Sequence, residues 1–393
     1  MNIERQSSGW LIFNMIKLSF LGDLMCLKAQ NEASLKKFGK LDFNPQFEFC
    51  KRLYEESDFV IGNLETPINP SRPTSHYDIR FNSAKEFLDA IQNAGVDFVS
   101  LANNHVLDQD VAGLDETIAC LEEIGMQYSG AYKSENDSDS IFIKEIKGVK
   151  FSIVCSTFST NSQVNGNFLA PNEQWRVDLL NKQKKMLQHW EPNPNAILED
   201  YIADEMSIAA ATNSKNKPFQ ERLREKMAKA KSMSDVLIAM PHVGGQYNPH
   251  PGNYAKWAMN FFKENGADVI VAGHPHVPQK CVREGKTFEC YSLGNFACTP
   301  FVGWYLPNSF SEYGIVLHTY FEEESKKLVK TTFSIVKSIV DEYGYTTIVP
   351  VVDLYQQAST VEKERLQIDC EEIISRLRGC NDNRNEIQEE ITL

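Results

Sequence analysis

Residues 98–105 read FVSLANNH, an apolar run of strand length that stops at two amides and an imidazole. Four other stretches have the same shape. LSFLGD ends at Asp23, FVIGNLE at Asn63 and Glu65, VLIAMPH at His242, and VIVAGHPH at His274 and His276. Short β-branched and apolar runs of this kind read as buried strands. In open α/β sheets, ligands gather in the crevice beyond the carboxyl ends of the strands. Five such ends, each closed by a ligand-type side chain, point to one site assembled from distant segments.

The sequence between these runs predicts an α/β alternation. Strands are expected over Ile16–Leu21, Phe59–Gly62, Phe98–Ala102 and Phe151–Cys155, then over Val236–Met240 and Val269–Ala272 around a helix at Tyr254–Glu264. A helix over Ser83–Ala94 opens on Ser-Ala-Lys-Glu, the form of a capping box, and stops at Gly95; another spans Gly113–Ile124. The polar run SENDSDS (134–140) reads as a surface loop. Residues 160–233, with EPNPN at 191–195 as an internal break, read as a helical insertion that overhangs the site and ends in a charged helix over Glu221–Lys231. From Thr287 to Val351 the alternation predicts antiparallel strands. Leu366, Cys370, Ile373 and Leu377 lie at helical spacing, which predicts a docked helix followed by a disordered tail. The expected organisation is one main domain over 15–352 and a C-terminal helix and tail over 353–393.

Composition narrows the function. The 393 residues are 42% hydrophobic, enough for a sizeable core, and the net charge is −13. A nucleic-acid partner is not expected, because phosphate-backbone binding draws on a basic patch. The nine cysteines are scattered singly with no CxxC pair, so they read as reduced thiols of a cytoplasmic protein. The apolar stretch from Trp10 to Met25 is interrupted by Asn14, Lys17 and Asp23, and reads as a first strand rather than an export signal. With no transmembrane segment expected, membrane association would need a partner or a lipid.

Four of the eight histidines, at 105, 242, 274 and 276, fall in the strand-end segments. Pro275 stiffens the turn between His274 and His276, and Gly273 permits a sharp departure from the strand. Imidazoles mixed with Asp23, Glu65 and the Asn104 amide suit a borderline divalent ion such as manganese, zinc or iron. A two-metal site would polarise a phosphoryl group and activate a water. Arg80 in YDIRF could grip a carboxylate or phosphate. Asp108 stands where it could cap the following helix. Asn103 reads as a loop amide, and His250, between two prolines, as a loop residue.

The order GD, GNLE, LANNHxxD, PHxG, GHPHxxQ and SLGNF resembles the CapA family of poly-γ-glutamate capsule proteins, a branch of the calcineurin-like metallophosphoesterases. The resemblance covers about residues 16–300. It implies an α/β, four-layer metallophosphatase-like β-sandwich flanked by helices. It also implies roles: Asp23 on a first metal, Asn63 or Glu65 in the bridging position, Asn104 and His242 on a second metal, and His274 and His276 divided between them. His105 would be the general acid, oriented by Asp108. Arg80, Tyr247, Gln279 and Asn295 would line the substrate pocket, or, for the last two, hold a histidine in its tautomer. Met25 stands where the superfamily has a histidine and Asn63 where it has a bridging aspartate, so one or two ions are expected. Val243 and Gln246 replace a usual tryptophan and glutamate of the family, a change that bears on substrate recognition more than on metal binding.

The function these readings imply is a metal-dependent hydrolase in which a metal-activated water attacks a phosphoester or amide bond in an anionic small molecule or polymer, linked to poly-γ-glutamate or capsule metabolism. The alternative is a non-catalytic component that binds an anionic polymer during capsule synthesis or export. The chain opens close to its first strand with no anchor in view, which favours the enzyme.

Overall fold

The central strands are buried almost throughout, and the side chains of each divide between two cores. On β1 (Met15–Leu24), Ile16, Leu18 and Phe20 join one apolar cluster, while Leu21 and Leu24 join another. On β7 (Val236–His242), Val236, Ile238 and Met240 join the cluster of Ile16, whereas Leu237 and Ala239 join a third. Strands buried on both faces lie between layers.

The computed structural model describes residues 14–73, 80–184, 211–300, 309–380 and 387–393. Its remaining strands are β2 (Phe59–Leu64), β3 (Phe98–Ser100), β4 (Gln127–Ser129), β5 (Phe142–Ile146), β6 (Val149–Thr157), β8 (Val269–Val271), β9 (Cys281–Glu284), β10 (Thr287–Cys290), β11 (Asn295–Ala297), β12 (Tyr313–Glu322), β13 (Leu328–Val340), β14 (Thr346–Pro350) and β15 (Ile391–Thr392). One sheet has the order β14-β13-β12-β1-β2-β3-β4, with β11 beside β1 and β15 beside β13. The other runs β5-β6-β7-β8-β10-β9. Strands β1 to β4 are mutually parallel, as are β6, β7, β8 and β10.

The sheets pack face to face on Phe20, Ile61, Phe98, Phe151, Ile238 and Val269. Helices Lys85–Asn93 and Asp110–Ile124 cover the outer face of the first sheet with Leu88, Ile91, Leu114 and Ile118. Helices Lys217–Met233 and Asn253–Glu264 cover the second with Leu223, Met227, Met259 and Phe262. The result is the expected four-layer α/β sandwich. Each fully buried Leu, Ile or Phe contributes about 1.5–3 kcal/mol, so the layers are held chiefly by apolar area.

Several local expectations are corrected. The helix after Ser83 starts at Lys85, its N-cap Ala84 makes no side-chain cap, and the Ser83 hydroxyl has no hydrogen-bond partner among the described residues. There is thus no capping box; Gly95 does take the left-handed turn at the helix end (φ 95°). The SENDSDS run holds a one-turn helix, Glu135–Ser138, because the Ser134 side chain accepts from the Asp137 N–H. Helix Thr360–Arg378 docks as expected through Leu366, Cys370, Ile373 and Leu377. The tail after it does not all fray: Ile391 pairs with Phe333 and is buried. Tyr77, the EPNPN break and residues Trp10 to Phe13 lie outside the described residues. No helix among the described residues is long and apolar enough to cross a membrane.

Candidate metal centre

Because β1, β2 and β3 are parallel in one sheet, and β7 and β8 in the other, their carboxyl ends deliver side chains to one edge of the sandwich. At β1 the register shifts between Phe20 and Asp23. Gly22 makes that possible, since a Cβ there would stand 2.1 Å from the Gly294 carbonyl oxygen. Asp23 N–H donates to that same carbonyl at 3.0 Å, and Asp23 lies in register with Asn63 and Asn295. Gly273 is equally constrained: a Cβ would meet Asp23 Oδ1 at 2.8 Å and His242 Nδ1 at 3.3 Å.

Asp23, Glu65, Asn104, His105, His242, His274 and His276 are each at most 6% exposed, and Asn63 is 7% exposed. Asn63 Nδ2 donates to Asp23 Oδ1 at 2.8 Å and stands 3.3 Å from His242 Nδ1. His242 Nε2 lies 2.7 Å from Asn104 Oδ1 and 3.2 Å from Glu65 Oε1. His276 Nδ1 lies 3.3 Å from Asp23 Oδ2 and 3.0 Å from Asn295 Oδ1, and its Nε2 is 3.8 Å from Glu65 Oε1. His274 (φ 99°) and His276 (φ 58°) both occupy the left-handed region, a cost that non-glycine residues bear mainly at functional sites. The Tyr247 N–H donates to the Pro275 carbonyl at 2.8 Å, fixing the turn from outside.

The donor set fits a divalent ion. Glu65, His274 and His276 offer ligand atoms within 4.8 Å of one another, and so do Asp23, Glu65 and His242. Glu65 is common to both groups. Its two carboxylate oxygens are buried and accept no hydrogen bond from the described residues, an arrangement that is expensive unless a cation or a proton compensates. Burial, then the charge of Asp23, pushes the Glu65 carboxyl up to about 8. For Asp23, burial raises the pKa, but His276 and His242 outweigh it and hold the carboxyl far below its ordinary value. Burial works against the His276 imidazolium, yet Glu65 and Asp23 pull it up to about 9. Two close carboxylates among histidines are a site short of positive charge.

His105 stands on the wall of this cluster. Its Nδ1 lies 2.6 Å from Asp108 Oδ2, and its ring stacks on Phe81 with centroids 3.8 Å apart. Asp108 also accepts from Phe81 N–H at 2.7 Å and Asn165 Nδ2 at 3.1 Å. It does not cap the helix that follows, whose first residue, Asp110, accepts from Ala112 and Gly113 N–H.

The other pocket expectations land as follows. Asn295 holds His276 and donates Nδ2 to the Ser311 carbonyl. Tyr247 puts its ring 5.9 Å from that of His276. Gln279 is buried and donates to the Asn248 carbonyl at 2.7 Å. Arg80 donates to the Val164 carbonyl at 3.4 Å. Asn103, the loop amide, bridges Asn63 Oδ1 and the Leu64 carbonyl and accepts from His105 N–H. Sequence reasoning missed Phe81, Asn165 and Phe158, whose ring is 4.8 Å from His274. Phe81 and Phe158 carry no ligand atom, and Asn165 lies 57 residues from Asp108 along the chain.

A family model described as bacterial capsule synthesis protein PGA_cap matches residues 17–300. The capsule biosynthesis protein CapA of Bacillus anthracis is 24% identical over 287 residues, 72% of this chain and 59% of that protein. The PGA biosynthesis protein CapA of Bacillus subtilis (strain 168) is 22% identical over 286 residues, 72% of this chain and 63% of that protein. The chain thus spans about three fifths of the length of these relatives. The crystal structure of a phosphatase from Mycoplasma pneumoniae aligns over 84% of this chain and 96% of that one at 14% identity and a TM-score of 0.42, a likeness too distant to argue from.

Proposed function

The chain belongs to the bacterial capsule synthesis family PGA_cap, and on that premise we propose that it is a metal-dependent hydrolase whose strand-end cluster binds one or two divalent ions and cleaves a phosphoester or amide bond. The observation that carries the reading is Glu65, a buried carboxyl with no hydrogen bond among the described residues that is common to both groups of ligand atoms.

Asp23, Glu65, His242, His274 and His276 would hold the metal. A bound divalent ion would supply Lewis-acid polarisation of the scissile group and a lowered pKa for a nucleophilic water. The chain's own residues do the rest. Asn104 and Asn63 engage the two nitrogens of His242, and Asn295 holds His276, so the imidazoles are oriented before any ligand arrives. Asp108 engages His105 Nδ1, which leaves Nε2 as the nitrogen that passes a proton to the leaving group. Phe81 covers one face of that ring and limits water around it.

The test is metal analysis of the protein as purified and after incubation with manganese or zinc, alongside Asp23→Ala and His274→Ala, with hydrolysis assays on an aryl phosphodiester and on polyglutamate. Bound ions that disappear in both variants, together with turnover, would support the enzyme. No metal in any preparation would sink it, and polyglutamate bound without turnover would favour a binding component of capsule synthesis.

A further inference from the structure

Away from the carboxylate cluster, two of the nine cysteines face each other across a hairpin. Cys281 on β9 is the register partner of Cys290 on β10, and their sulfurs are 3.0 Å apart. The strands are joined by the two-residue turn Gly285–Lys286, with Glu284 opposite Thr287. Hydrogen-bonded and non-hydrogen-bonded pairs alternate along an antiparallel ladder. Tyr291 N–H donates to the Lys280 carbonyl at 2.9 Å, so Cys281–Cys290 is a non-hydrogen-bonded pair. At such pairs the Cα atoms stand about 4.5 Å apart, inside the range that a disulfide spans.

We propose that Cys281 and Cys290 are a disulfide-forming site. The reaction is thiol–disulfide exchange with a small disulfide oxidant of the glutathione class. Cys281, as a residue 6% exposed against 0% for Cys290, attacks the oxidant as its thiolate. One oxidant thiol leaves with the proton Cys281 gave up. Cys290 then attacks the Cys281 sulfur of the mixed disulfide, forming the intramolecular bond and releasing the second thiol. Two protein thiols are oxidised and one disulfide is reduced, so electrons and protons balance.

The pair sits at the root of two arms that hold the same histidine. From Cys281 the chain runs back through Gln279 to His276; from Cys290 it runs on through Ser292 to Asn295. Gln279 N–H donates to the Ser292 carbonyl at 3.0 Å, and His276 meets Asn295 at 3.0 Å. A covalent link at the root ties both arms to one strand pair.

The experiment equilibrates the full chain in glutathione buffers from fully reduced to fully oxidised, alkylates free thiols and maps peptides by mass spectrometry. The same series is repeated after unfolding and refolding in the oxidised buffer, and with Cys281→Ser and Cys290→Ser. The expected result is a peptide pair joined through Cys281 and Cys290 that appears in a single two-electron transition, while the other seven cysteines stay alkylated and each Ser variant frees the partner thiol. Alkylation of both cysteines in the most oxidising buffer, in native and refolded protein alike, would overturn the proposal. Linkage of either one to a different cysteine would overturn it as well.

Discussion

Asp108 Oδ2 sits 2.6 Å from His105 Nδ1 and also accepts from the Phe81 N–H, while Asn165 Nδ2 donates to the other carboxylate oxygen, Oδ1. On the proposed function, this carboxylate would set the tautomer of the imidazole and leave Nε2 to exchange a proton. His105→Ala is expected to lower kcat about 10²–10⁴-fold, the usual contribution of a positioned general acid, with metal content unchanged. Asp108→Asn keeps the ring and should cost less, roughly 10–100-fold. Steady-state kinetics paired with metal analysis check both; wild-type turnover in His105→Ala would remove the residue from the chemistry.

Gly273→Ala tests how tightly the cluster is closed. The added methyl would stand 2.8 Å from Asp23 Oδ1 and 3.3 Å from His242 Nδ1. Neither neighbour can step aside freely, because Asn63 holds Asp23 and Asn104 holds His242. Overpacking of this kind costs about 1–3 kcal/mol. The variant should melt lower and bind manganese at least about 10-fold more weakly, as displaced ligands do. Calorimetric titration showing unchanged affinity would mean the crevice has slack that its packing does not reveal.

Much of this site was legible because parallel strands make position and chemistry coincide. Asp23, Asn63, Asn104, His242 and His274 each follow an apolar run, and parallel pairing carries every run's end to one edge. What was illegible depends on contacts without sequence spacing. Side-chain direction separates Asn63 from Glu65: Asn63 spends its amide on Asp23 and Asn103, while Glu65 is common to both groups of potential ligand atoms. The stacking of Phe81 on His105 left no mark, since an aromatic at that position reads equally well as core. The Ser83 capping box failed because a four-residue motif cannot show whether its serine faces the helix or the interior.

Asn295 should prove a positioning residue. Its Oδ1 lies 3.0 Å from His276 Nδ1 while its amide nitrogen is anchored on the Ser311 carbonyl, so the ring is held from behind. Asn295→Ala is expected to weaken metal binding about 10–100-fold, the range seen when a partner behind a ligating histidine is lost. Asn295→Asp restores an acceptor and should recover part of the loss. If both variants bind as the wild type does, Asp23 alone orients the ring.

A last prediction concerns the fold rather than the site. His318 is fully buried on β12, with Nδ1 2.7 Å from Ser19 Oγ and Nε2 3.4 Å from Ser334 Oγ. Burial, reinforced by the charge of Lys17, holds its pKa well below the ordinary value. The ring is therefore neutral in the fold, while the unfolded chain takes up a proton near pH 6.5. Below that pH the unfolded state binds more protons, so the stability present at neutral pH is lost as pH falls, at up to about 1.4 kcal/mol per unit. Glu390, also held below its ordinary range, adds a loss of the same sign only at lower pH, below about 4.5. Urea unfolding of wild type and His318→Asn between pH 6.5 and 4.5 isolates the histidine: the wild type should lose stability more steeply, with the difference between the two curves changing across that window. Parallel curves would mean that the folded protein protonates His318 as readily as the unfolded chain does, and that the neutral ring between Ser19 and Ser334 is not what β12 requires.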